Sequence, residues 1–172
     1  MNDKLRKTVA AAVLCALTCA ATLLIQIPTV THGYVNPGDA IVLVCGWLLG
    51  TPWGIAAAGL GSALADIISG YVIYAPATLI IKGLTALTAA LIFSASRRHA
   101  LSARIMSAIA AELVMTLGYF VYEWLIITGS FETAVIGVPQ NLFQGVIGLL
   151  GGIAVITALE RTKAIEALKL NH

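Results

Sequence analysis

Six stretches dominated by Ala, Leu, Ile, Val and Gly fill most of the chain, at about residues 8–27, 38–50, 53–70, 76–95, 101–128 and 137–159, divided by Gly/Pro breaks and charge clusters. Several approach the roughly 17–25 residues that a helix needs to cross a hydrocarbon core. Inside lipid every backbone amide must be satisfied within the protein, which leaves helices or a closed barrel. Barrel strands alternate apolar and polar residues over short segments, and these runs do not alternate. With 59% hydrophobic and 10% charged residues and a mean hydropathy of +0.95, the chain lies far from soluble composition. The expected fold is an all-α integral membrane protein, with one six-helix domain over residues 1–172.

The second run is short, so that segment is expected to tilt, stop partway or leave a recess. Thr51-Pro52 marks a tight turn before the third helix. Lys4, Arg6, Lys7, Arg97, Arg98, Arg104, Arg161, Lys163 and Lys169 cluster at the N-terminus, around the link between the fourth and fifth runs, and at the C-terminus. The positive-inside rule places those three regions in the cytoplasm, giving a multi-pass plasma-membrane protein with both termini inside. The connections 28–37, 71–75 and 129–136 face outward and hold no Lys or Arg. The first run continues too far for a secretory signal core and is expected to remain as a packing partner.

This topology sets depths. Asp66 lies four residues before Gly70, Lys82 six after Pro76, Glu123 five before Thr128, and Asn141 and Gln144 four and seven after Gly137. At 1.5 Å per residue, all of them fall within roughly 6–11 Å of the outer boundary. Asp39 starts the second helix at the same level, with Tyr34, Asn36, Tyr71 and Tyr74 in the loops above and Tyr119 one turn below Glu123. An ionised side chain at a helix centre costs roughly 2.5–3.5 kcal/mol to insert, so several retained together imply pairing, water or a ligand. The expectation is an outward-facing polar cup.

Each member also has a structural reading. Asp66 and Lys82, at similar depth on consecutive helices, are placed for an ion pair that either locks the helices or admits a ligand. Tyr119, Glu123 and Trp124 offer a phenol, an acid and an aromatic wall, or an interfacial aromatic belt. Asn141 and Gln144 share a helix face and serve a ligand or bond across helices. Glu112 lies deeper, near mid-membrane, as a structural hydrogen-bonding group or part of transport chemistry. Ala12, Ala16 and Ala20 make a small-residue stripe on the first helix, and Gly59, Gly61, Gly148 and Gly152 permit close helix packing.

Several function classes find no support. A net charge of +2 gives no nucleic-acid patch. Cys15, Cys19 and Cys45 have neither disulfide nor metal-ligand spacing and read as core residues, so no metal is expected. There is no phosphate loop, no HExxH and no nucleophile elbow, so no enzyme and no catalytic residue is read, and inverted repeats are not evident. A receptor powered by other subunits fits better.

The stretches GYVNPGD (33–39) and GSALADIISGYVIYAPATLIIKG (61–83), the second containing Ala75-Pro76-Ala77-Thr78 and Lys82-Gly83, resemble the S components of energy-coupling factor (ECF) transporters. The similarity is to the riboflavin-type group, whose members also serve vitamin B6 and thiamine-precursor uptake. It implies a vitamin-binding membrane subunit docking on a T component with two cytoplasmic ATPases, so that ATP is hydrolysed by partners and no cofactor is held here. It further implies a T-component interface at Ala12, Ala16 and Ala20, and substrate contacts at Tyr34, Asn36, Asp39, Tyr74, Lys82, Tyr119, Glu123 and Asn141, to which Gln144 is added from its helix face. Reorientation of the whole subunit in the membrane is the implied transport step.

The acids, lysine, phenols and amides suit pyridoxine or hydroxymethylpyrimidine better than the larger riboflavin. The alternatives are a self-sufficient proton-coupled carrier using Asp66, Lys82 and Glu112, and a scaffold subunit whose charges only fix helix pairing.

Overall fold

The computed structural model describes residues 2–96 and 101–162. Helix α1 (Asp3–Leu24) is followed by a two-residue antiparallel ladder of β1 (Ile27–Pro28) and β2 (Tyr34–Val35). Then come α2 (Asp39–Leu49), α3 (Trp53–Ile68), α4 (Ala75–Ala95), α5 (Leu101–Tyr122), which continues as a π turn over Glu123–Thr128, and α6 (Phe131–Arg161). Helices α1, α4, α6 and the joined α5 and π turn are long and apolar enough to span a membrane, whereas α2 and α3 have 11 and 16 residues.

Helix ends follow local chemistry more closely than hydropathy. Asn2 caps α1 by accepting from Lys4 N at 3.2 Å, so the helix begins at Asp3 and not near Thr8. The outer connection expected over 129–136 shrinks to Gly129 and Ser130. Gly129 takes φ 63° to end the π turn, and the Ser130 side chain caps α6 by accepting from Thr133 N. Helix α6 therefore starts six residues earlier than expected and carries Pro139 inside it.

The short α2 has a physical reason that hydropathy does not carry. It touches α1, α3, α4 and α6, and ten of its eleven residues are buried. A helix enclosed by protein need not match the bilayer thickness, and the space beyond its N-terminus becomes a recess under the β1–β2 hairpin. The other helices turn large apolar residues outward, including Leu17, Leu64, Ile80, Leu117 and Phe143, while Ala, Gly and Thr fill many of the inward positions. Small residues let backbones approach where lipid offers no hydrophobic drive between helices. At Gly61 a Cβ would stand 2.4 Å from Cys15 O on α1, and at Gly148 it would stand 2.7 Å from the Asp39 Cβ.

At the end away from the hairpin, Arg104 on α5 makes a bidentate pair with Glu160 on α6 and lies 5.5 Å from the centre of the Phe93 ring. Trp47 Nε1 donates to Ser107 Oγ at 2.9 Å nearby. Lys4, Arg6, Lys7 and Arg161 occupy helix ends on this same side, whereas Arg97, Arg98, Lys163 and Lys169 lie outside the described residues.

Candidate functional site

A cavity of about 420 Å3, counted to its mouth, opens between the hairpin and the helix ends beside it, and a water-sized sphere fits only a small part of it. Thr22 reaches it from α1; Thr29, Gly33, Tyr34 and Asn36 from the hairpin; Ser62 and Asp66 from α3. Tyr74, Thr78 and Lys82 line it at the start of α4, Tyr119 and Glu123 at the end of α5, and Asn141 and Gln144 on α6. Local geometry explains the convergence. Ser62 and Asp66, Thr78 and Lys82, and Tyr119 and Glu123 are each four residues apart, so each helix presents a polar pair on one face. The wider π turn, closed by Thr128 Oγ1 donating to Glu123 O at 2.9 Å, begins at Glu123, whose side chain is buried in the cavity wall.

The deepest part is a closed network. Lys82 Nζ donates to Asp39 Oδ1 at 2.5 Å, and Gln144 Nε2 donates to Asp39 Oδ2 at 2.6 Å. Gln144 Oε1 in turn accepts from Asn36 N at 2.8 Å, and the Lys82 ammonium lies 5.2 Å from the Tyr119 ring centre. Asp39 is the one expected contact that does not line the cavity itself; it is fully buried behind Lys82 and Gln144.

Two more acids tie down the hairpin. Tyr34 OH donates to Asp66 Oδ1 at 2.6 Å and Thr31 Oγ1 to Glu123 Oε1 at 2.9 Å, while Tyr74 OH donates to Thr31 O at 2.6 Å. Burial raises the Tyr34 pKa, and its bond to Asp66 raises it further, so the phenol stays a donor. Asp66 Oδ2 and Glu123 Oε2 are buried and meet no donor.

The Asp66–Lys82 ion pair expected from sequence is not formed. Both helices carry these residues at similar depth, but α2 threads the centre of the bundle and brings Asp39 nearer to Lys82, leaving Asp66 to the hairpin.

A family model described as "ECF-type riboflavin transporter, S component" matches residues 2–161. The chain belongs to this family. The fold agrees: a solved structure described as "Structure and mechanism of the S component of a bacterial ECF transporter" superposes with a TM-score of 0.76, covering 92% of this chain and 98% of that one at 16% identity. A Pyrococcus woesei relative, described as "Uncharacterized protein in gap 3'region", is 30% identical over 138 residues, 78% of this chain and 90% of the relative.

In this S component the remaining candidates separate by direction. Trp124 packs with Phe120 and Phe131 on the outer surface, away from the cavity, as an aromatic belt residue does. Glu112 lies below the cavity, and a Cβ on Gly148 would stand 2.8 Å from its Oε1, between Glu112 and Asp39. Ala12, Ala16 and Ala20 are exposed on α1, whose Ala11, Leu14 and Thr18 face the bundle. The cysteines are free, and no metal-binding cluster occurs among the described residues. Sequence reasoning passed over the hydroxyl residues Thr22, Thr29, Thr31, Ser62 and Thr78. The four-residue spacing from Ser62 to Asp66 and from Thr78 to Lys82 is the signal that finds two of them.

Proposed function

We propose that this S component captures a small water-soluble vitamin from outside the cell and delivers it inward together with a T component and two cytoplasmic ATPase subunits. All six helices cross the plasma membrane, both termini are cytoplasmic, and residues 1–172 act as one domain. The chain holds no cofactor or metal and catalyses no reaction, since ATP is hydrolysed by the partners. The exposed stripe of Ala12, Ala16 and Ala20 meets the T component, because small side chains there allow a helix of the partner to approach closely.

One observation carries the reading: polar side chains from α1, α3, α4, α5, α6 and the hairpin converge on one cavity at the hairpin end of an apolar bundle. Tyr34, Asn36, Tyr74, Lys82, Tyr119, Glu123, Asn141 and Gln144 are the substrate contacts, Asp66 among them, with Asp39 holding Lys82 and Gln144 in place. The limited free space favours a single-ring heteroaromatic such as pyridoxine or hydroxymethylpyrimidine. Riboflavin is the second reading, favoured by the description of the matching family.

Isothermal titration of detergent-purified protein from vitamin-starved cells against a panel of B vitamins tests this. One tight, saturable one-to-one isotherm is expected. Uptake by the chain alone in liposomes, without T component or ATPases, would instead identify a self-sufficient carrier, and an absence of any saturable binding a scaffold.

A further inference from the structure

Resting on that reading, we infer that the occupant of the cavity is an uncharged or cationic solute carrying at least two separated hydrogen-bond donors, one for Asp66 and one for Glu123, and that phosphorylated and other anionic forms of the same vitamin are rejected.

The polar groups fall into two sets. The deep set is complete within itself: the Lys82 ammonium is taken by Asp39 at 2.5 Å, and the other Asp39 oxygen by Gln144 at 2.6 Å. Lys82 is the basic residue of the cavity wall, and its charge is already balanced by a partner that is fully buried. An entering anion would have to break this pair, and a buried charge that loses its partner is strongly destabilised.

The shallower set is incomplete. Asp66 and Glu123 are 4% and 3% exposed, and each gives one carboxyl oxygen to a hydroxyl of the hairpin, from Tyr34 and Thr31. The second oxygen of each is buried and accepts no hydrogen bond. An unmet buried acceptor is costly, and supplying a donor removes that penalty. Both residues, on α3 and on the π turn after α5, line the same cavity with α4 between their helices, and Glu123 Oε2 lies beside α6, where a Cβ on Gly137 would stand 2.7 Å from it. A ligand with hydroxyl or amino groups at two points of a ring satisfies both. A phosphate or carboxylate presents acceptors to acceptors, and among the described lining residues it meets no basic side chain that lacks an acid.

The test titrates the full-length, detergent-purified chain with three matched pairs: pyridoxine and pyridoxine 5′-phosphate, thiamine and thiamine monophosphate, riboflavin and riboflavin 5′-phosphate. The expected result is saturable binding of at least one parent compound, with its phosphate ester weaker by about 30-fold or more. Asp66→Asn and Glu123→Gln, each checked for an unchanged elution profile and unfolding temperature, should weaken the parent by about tenfold or more, the size of one lost hydrogen bond to a carboxylate. A phosphate ester that binds as well as its parent overturns the inference while leaving vitamin binding intact. So does parent affinity that survives both substitutions. If none of the six compounds binds, the vitamin reading falls and this inference falls with it. The comparison of pairs on the unmodified chain decides the matter even if a variant fails to fold.

Discussion

Lys82 on α4 and Asp39 at the first turn of α2, 43 residues apart in the chain, form a 2.5 Å ion pair with side chains 3% and 0% exposed. The pair holds the central helix against the wall of the bundle and neutralises the floor of the cavity. Asp39 also sits at the N-terminus of α2, where the helix dipole favours a carboxylate.

Removing one partner leaves the other charged and buried. Asp39→Asn or Lys82→Met alone should lower the stability of the detergent-solubilised protein by about 3–5 kcal/mol. The double variant should recover much of that loss, because neither charge is then left alone. Thermal unfolding of the four proteins in a double-mutant cycle measures the coupling, and strictly additive losses would show that the two residues do not act as a pair.

Tyr34 ties the hairpin to α3 through Asp66. Tyr34→Phe removes the donor and should weaken closure of residues 25–38 by about 1 kcal/mol, seen as about fivefold faster amide exchange there, with α2 and α6 unaffected. The folded-state pKa of Tyr34 is raised above its ordinary value of 10.0, so the phenol is protonated in both states below about pH 10. Its contribution is fully present there and is lost only as pH rises further. Exchange corrected for its intrinsic rate should thus show no transition from Tyr34 between about pH 6 and 9; a tyrosine-dependent loss of protection in that window would contradict the assignment.

Gly148 separates two acids. An alanine Cβ would stand 2.7 Å from the Asp39 Cβ and 2.8 Å from Glu112 Oε1, so Gly148→Ala should destabilise by about 1–3 kcal/mol through overpacking. Both Glu112 oxygens are buried without a donor, so Glu112→Gln removes no hydrogen bond and should leave the unfolding temperature unchanged or higher. A large drop for Glu112→Gln would reveal a role in holding the bundle together.

The exposed alanines of α1 do not line the cavity of their own chain. Ala16→Trp should leave vitamin affinity within about twofold and abolish co-purification with the T component and ATPases, because a bulky ring prevents close helix approach. Retained co-purification together with normal uptake would remove this face from the interface.

The helical class, the number of helices and the shared level of the polar residues in the bundle were legible in the sequence, since apolar run length and charge placement answer directly to a bilayer. Asp66, Lys82, Glu123, Asn141 and Gln144 do meet around one space because helix rise converts residue number into depth. Depth says nothing about azimuth. Which acid meets Lys82 depended on α2 passing through the middle of the bundle, and a short apolar run does not announce whether it is enclosed or merely tilted.

Local chemistry also outweighed the broad pattern at the ends of helices. Gly129 and Ser130 sufficed to turn the chain, so residues 131–136 became helix where hydropathy suggested a loop. The hydroxyls of Thr29 and Thr31 could not be ranked from sequence, because a threonine in a short loop carries no sign of the partner it will meet.

The sequence by itself determined that this chain must hide its backbone in helices and keep its charges toward the helix ends, because lipid penalises every alternative. Only the tertiary structure decided that Lys82 is matched by Asp39 while Asp66 and Glu123 each keep a carboxyl oxygen without a donor. Pairing is a matter of distances between helices, which are set by how Gly and Ala let them pack and not by the order of residues along any one of them.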